Sequence, residues 1–143
     1  MYDPLSATIE LQDDKVQFSG RLRDNDTVTI DYTPPIGGGQ GYTSLELFLF
    51  SLASCSGTAV AILLRKMGKN IHGLTVRADG VRREAHPSSF ETIHLTFSIH
   101  SDNVTPESVQ KALMMSEDSI CPVWCMIKNN VAVTSEFSIF ATI

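Results

Sequence analysis

The chain has 143 residues, a net charge of −5, a pI near 5.2 and 43% hydrophobic residues, enough for one domain with a sizeable core. Its only tight basic run, Val81-Arg82-Arg83-Glu84, is too short to displace counterions from phosphate, which makes nucleic acid a poor candidate partner, and none is expected. The N-terminal run MYDPLSATIE has neither a basic n-region nor an apolar h-region, so a cytoplasmic location is expected; three cysteines without an export signal argue for thiols held reduced or cycling rather than for a disulfide framework.

Residues 7–11, 15–20 and 27–32 alternate apolar and polar, and are separated by Asp13-Asp14 and Asp24-Asn25-Asp26. These are turn compositions, and they predict a three-stranded antiparallel meander. Residues 33–42 follow, rich in glycine. No Gly-Lys-Ser/Thr and no βαβ context accompany them, so a flexible lead-in loop is expected rather than a phosphate cradle.

Residues 43–69 predict the long helix of the fold. Between Leu47 and Leu64 there is no charge, and apolar residues fall on every side of the 3.6-residue period, the pattern of a buried helix. Ser44 is the predicted N-cap, Glu46 lies in the first turn, Arg65, Lys66 and Lys69 suit the C-terminal end of the dipole, and Gly68 ends the helix. The run reaches the lower bound for a bilayer span. No second such run exists, and its Ser, Gly, Thr and Cys content weakens the apolar signal, so a core helix without membrane association is expected. Ser51, Ser54, Cys55 and Thr58 fall at i, i+3, i+4 and i+7, forming a small-residue stripe that another helix can approach and that holds a thiol.

Residues 74–83 and 90–100 read as two strands joined by a turn at 85–89. The step from Phe90 to Ile93 is out of phase and points to a bulge or a later strand start. Thr105-Pro106-Glu107 supplies an N-cap, a proline at N1 and an acid, predicting a helix over 106–118 with Val109, Leu113 and Met114 on its apolar face. Pro122 fits the first position of a short helix whose N-cap is then Cys121, with its sulfur beside free N–H groups, a setting that lowers a thiol pKa. Residues 131–143 read as a closing strand. The order β-β-β-α-β-β-α-α-β, with strands grouped in hairpins, is that of a single α+β domain over residues 1–143.

Taken alone, Cys55 reads as a small buried hydrophobe, since burial makes a thiol inert. Cys121 changes the balance. One thiolate can attack a peroxide O–O bond and become a sulfenic acid, and a second thiol can condense with it to a disulfide; the spacing permits the two sulfurs to meet without showing that they do. Cys125 shares a helix face with Cys121, either as a packed structural residue or as an alternative resolving thiol. His72, His86, His94 and His100 lack metal-ligand spacing with these cysteines, and no metal site is expected.

The segments Glu46-Leu47-Phe48-Leu49, Ser51-Leu52-Ala53-Ser54-Cys55 and Cys121-Pro122-Val123 together resemble the OsmC and organic hydroperoxide resistance family of thiol peroxidases, and the likeness runs along essentially the whole chain. The resemblance implies an OsmC-like fold and an intertwined homodimer with two active sites at the subunit interface. It also implies Cys55 as the peroxidatic cysteine, Cys121 as the resolving one and Glu46 as the family's helix glutamate. Organic hydroperoxides would be the substrates and a dithiol or lipoyl-carrying protein the reductant, with no cofactor. On a straight helix Glu46 lies about 180° round the axis from Cys55 and roughly 13–14 Å away, so to serve a thiol it must reach the Cys55 of a second chain, unless the helix breaks between them. The family's arginine in the strand before the glycine-rich loop is missing from residues 27–32, leaving Arg21 and Arg23 as candidates to stabilise a thiolate. Without a cation a buried Cys55 is hard to ionise, which keeps open a small-molecule binding or redox-sensing role.

Overall fold

The early alternating residues pair as an antiparallel meander of β1 (Ile9–Leu11), β2 (Phe18–Gly20) and β3 (Val28–Ile30) in the computed structural model, which describes residues 1–141. Leu11 stands opposite Phe18, and Phe18 opposite Ile30. The strands are shorter than the periodicity predicts. Asp13 Oδ1 accepts the N–H groups of Lys15 and Gln17 at 3.0 and 3.1 Å, drawing residues that would lengthen β2 into the turn.

The glycine-rich segment after β3 is an anchored loop, not a flexible one, because Asp31 organises it. This side chain is only 2% exposed, and its carboxylate accepts the N–H groups of Tyr32 at 2.7 Å, Gly38 at 3.2 Å and Gln40 at 3.0 Å. Those bonds, that from Gln40 foremost, hold the Asp31 carboxyl below the usual carboxylate range against the opposing effect of burial. The loop's return is fixed by Asp31 N–H to Tyr42 O at 3.0 Å and Tyr42 N–H to Thr29 O at 3.2 Å. A Cβ at Gly37 would collide with Asp31 Oδ1 and Tyr32 O, and one at Gly41 with Thr29 O, so the loop closes only with glycine at both places.

These elements belong to the first of two compact units, Met1–Phe48 and Leu49–Ile143, and α1 (Ser44–Lys66) begins in the first and continues in the second. Thr43, rather than the predicted Ser44, caps α1. Its Oγ1 accepts from Glu46 N–H at 3.2 Å while Glu46 Oε1 accepts from Thr43 N–H at 2.9 Å, a reciprocal capping box that a cap one residue later could not form. Gly68, at φ 77°, ends the helix as predicted. By length and composition α1 could cross a bilayer, yet Leu52, Val60 and Leu64 are fully covered by protein. Ser51, Ser54, Thr58 and Ile62 are exposed on the isolated chain.

The second unit is built on β4 (Gly73–Arg82), β5 (Phe90–His100) and β6 (Ala132–Phe140), with β5 central, antiparallel to β4 and parallel to β6. The register stacks Leu74, Ile99 and Ile139 in one row and Val76, Phe97 and Phe137 in the next. These alternate residues form the apolar face, on which Ile93, Leu95, Phe97 and Ile99 are fully buried. The predicted bulge is present: Val81 pairs with Thr92 but Arg82 with Phe90, leaving Glu91 as the extra residue. The last two residues of the predicted closing strand, 142 and 143, lie outside the described residues.

A parallel return from β5 to β6 needs a crossover, and here it consists of α2 (Pro106–Met115), one π-helical turn (Ser116–Ile120) and α3 (Pro122–Ile127). Thr105 and Ser108 form the capping box of α2. The predicted helix over 106–118 changes to π geometry from Ser116.

Two outcomes test the anchored loop. Gly37→Ala is expected to lose about 1–3 kcal/mol in denaturant unfolding, because the atoms it would strike cannot both move away. The depressed Asp31 pKa makes its stabilising contribution complete above the unfolded value of 3.8 and lost as pH falls through the lower folded value. Acid titration of stability should therefore show a loss below pH 3.8 that is smaller in Asp31→Asn than in the wild type.

Candidate active site

Cys121 occupies the predicted place at the start of α3. Its backbone is extended at φ −82° and ψ 106°, Pro122 follows at the first helical position, and its sulfur accepts the Trp124 N–H at 3.4 Å. The backbone is held on both sides. Cys121 N–H donates to Ser116 O at 3.0 Å, closing the π turn, and Cys121 O accepts from Cys125 N–H at 3.0 Å. The side chain is fully buried.

On the α1 side, Ser56 Oγ lies 3.5 Å from Cys121 Sγ within hydrogen-bonding reach. Its neighbour Cys55 lies close enough to the Cys121 thiol and the Val123 N–H for both to act on its ionisation. The two sulfurs that the sequence could not bring together are therefore adjacent. Burial pushes the Cys55 thiol above its ordinary pKa, the Cys121 thiol adds to that rise, and the Val123 N–H opposes it. The other contribution comes from Cys125; no cation acts on Cys55 among these influences. Cys125, partly exposed, donates its S–H to Glu117 O at 3.4 Å.

An open cleft of about 360 Å³ gives access to Cys55, bounded by Ser54, Thr58 and Ile62 of α1 and by Ile120 and Pro122 across from them. Its lining is mostly apolar, with hydroxyls at Ser54 and Thr58. Trp124 is core, 1% exposed, and its Nε1, like Ser116 Oγ, is buried without a hydrogen-bond partner among the described residues.

Glu46 is exposed and commits one carboxylate oxygen to the cap of α1, which runs unbroken over Ser44–Lys66. Arg21 and Arg23 are exposed in the segment after β2, Arg23 with the positive φ of 57°. His94 contacts Thr134 at 2.6 Å and Glu136 at 3.4 Å, His72 contacts Asp102 at 3.5 Å, and His100 stacks on Phe140. Among the described residues no group of three His, Cys, Asp or Glu side chains is placed to hold a metal ion. Sequence reasoning missed Ser56. Its only signal was its position beside Cys55 in a run of small residues.

The profile of the OsmC-like protein family matches residues 37–136, which takes in α1, both strands of the β4–β5 hairpin, the crossover and most of β6. No curated protein matches the chain. Among solved structures, a hypothetical protein from Aquifex aeolicus superposes with a TM-score of 0.86 at 22% identity, over 99% of this chain and 100% of the other. The OsmC-like protein of Mycoplasma pneumoniae gives a TM-score of 0.78 at 18% identity over 100% of both chains. An organic hydroperoxide resistance protein OsmC from Legionella pneumophila gives 0.70 at 12% identity, over 96% of this chain and 99% of its own. At such identities the likeness establishes a shared fold, while the profile match spans well over half of the chain: this protein belongs to the OsmC-like family.

Proposed function

We propose that the protein is a thiol peroxidase that reduces organic hydroperoxides. The observation that carries this reading is that the Cys121 thiol lies near enough to act on Cys55, which itself lines a mostly apolar cleft. The Cys55 thiolate attacks the distal peroxide oxygen, the O–O bond breaks, and the leaving alkoxide takes a proton to depart as an alcohol, with Cys55 left as a sulfenic acid. The Cys121 sulfur then displaces water from that sulfenic acid, forming the disulfide and keeping the oxidised sulfur from further oxidation. A dithiol or a lipoyl-carrying protein of the cytoplasm returns both sulfurs to thiols by two exchange steps. The apolar lining favours an alkyl hydroperoxide over a small polar one, in keeping with the name of the Legionella pneumophila neighbour.

The exposed side of α1 supports a homodimer in which a second copy covers Ser51, Ser54, Thr58 and Ile62. Glu46 then acts on the Cys55 of the other copy, and Arg21 or Arg23 supplies the positive charge that Cys55 lacks within its own chain. A second reading rests on one observation. With its pKa raised and no cation acting on it, Cys55 is mostly protonated at neutral pH, which suits a slow redox sensor or a small-molecule binding protein better than a fast catalyst.

Three measurements separate these readings. Cys55→Ser should reduce consumption of cumene hydroperoxide to background, whereas Cys121→Ser should retain the first turnover and accumulate a sulfenic acid that dimedone traps. Oxidation that proceeds once per chain and never cycles with a dithiol would favour the sensor. Because the Cys55 pKa is raised, the rate of the first oxidation should climb about tenfold per pH unit from neutrality to pH 9; a flat profile would mean that a cation already holds the thiolate.

A further inference from the structure

The crossover carries a third thiol that a two-cysteine cycle does not use. Cys125 lies one turn beyond Cys121, joined to it by the 3.0 Å bond from Cys125 N–H to Cys121 O. Helix geometry puts their Cα atoms about 6 Å apart, inside the span of roughly 4.4–6.8 Å that a disulfide bridges, and their Cβ atoms about 5–6 Å apart, so the bridge closes with a small movement of Cys125 toward Cys121. Helical side chains lean toward the N-terminus. That of Cys125 does so, since its S–H donates to the carbonyl of Glu117, which precedes Cys121. Cys125 also acts electrostatically on Cys55, the smallest of the influences on that thiol. The three thiols differ in access: Cys121 is fully buried, whereas Cys55 and Cys125 are partly exposed.

We propose that Cys125 is a relay thiol, which attacks Cys121 in the Cys55–Cys121 disulfide, moves the bridge to Cys121–Cys125 and releases Cys55. The step rests on the peroxidase cycle proposed above. It is an exchange with no net oxidation: the Cys125–Cys121 bond forms, the Cys121–Cys55 bond breaks, and the proton lost by Cys125 returns through water to Cys55. The Val123 N–H, which favours the charged form of Cys55, stabilises that sulfur as it leaves. The consequence is that Cys55 can meet a second peroxide before any reductant arrives.

The test is made on the fully reduced protein, treated with excess cumene hydroperoxide without reductant, quenched with acid, and mapped for disulfides by mass spectrometry. The wild type should accumulate Cys121–Cys125 and consume about two equivalents of peroxide per chain, the second leaving Cys55 as a sulfenic acid. Cys125→Ser should stop at Cys55–Cys121 after about one equivalent, and formation of that bridge shows that the variant is folded. A wild type that also stops at Cys55–Cys121, or that links Cys55 to Cys125, overturns the relay and leaves the peroxidase reading standing. Absence of any disulfide in both proteins, with Cys55 still a thiol, overturns both.

Discussion

The chemistry of this protein depends on how closely α1 can lie against its neighbours. At Gly57 a Cβ would sit 3.1 Å from Val76 Cγ2, tighter than ordinary van der Waals contact, so the absence of a side chain there lets the helix settle on the sheet. One residue earlier, the small Ser56 side chain meets the buried sulfur of Cys121. These two contacts limit how α1 can sit, and Cys55, beside them in the chain, lines the cleft with part of its surface open. A bulkier residue at either place would lift or turn the helix and separate the thiols before altering either one chemically.

The other half of the site follows from topology. Because β6 runs parallel to β5, the chain must travel back along the sheet before it can add that strand, and the cysteine segment forms part of the return. The π turn ends at Ile120, and Cys121 serves at once as its closing N–H donor and as the cap of α3. A residue with these backbone duties has little freedom to move. Its sulfur is held in place by local hydrogen bonds, while that of Cys55 stays partly exposed beside the cleft.

Much of this was legible in the sequence because it is written in local chemistry. Proline after Cys121, the Thr105-Pro106 start and the glycine at 68 each dictate a backbone conformation over a few residues, and the phase slip between Phe90 and Ile93 marked the bulge. The failures lie where a side chain acts on backbone across a loop or where two cap solutions compete. Thr43 displaced Ser44 because Glu46 stands three residues beyond Thr43 and completes a reciprocal pair. Asp31 looked like one polar residue in an alternating strand, and nothing local shows that Gly38 and Gln40 fold back onto it. The π turn was also invisible, since Ser116–Ile120 has no composition that separates it from an α-helix. Adjacency of Cys55 and Cys121 is a tertiary fact, which family likeness implied and spacing could not.

Trp124 is the chain's only tryptophan, and its backbone N–H is bonded directly to the Cys121 sulfur. Indole emission from the native protein therefore originates at a single place, next to the thiols and sealed from water. The molecule carries its own optical reporter on the surroundings of that sulfur, readable in real time without a label or an added chromophore.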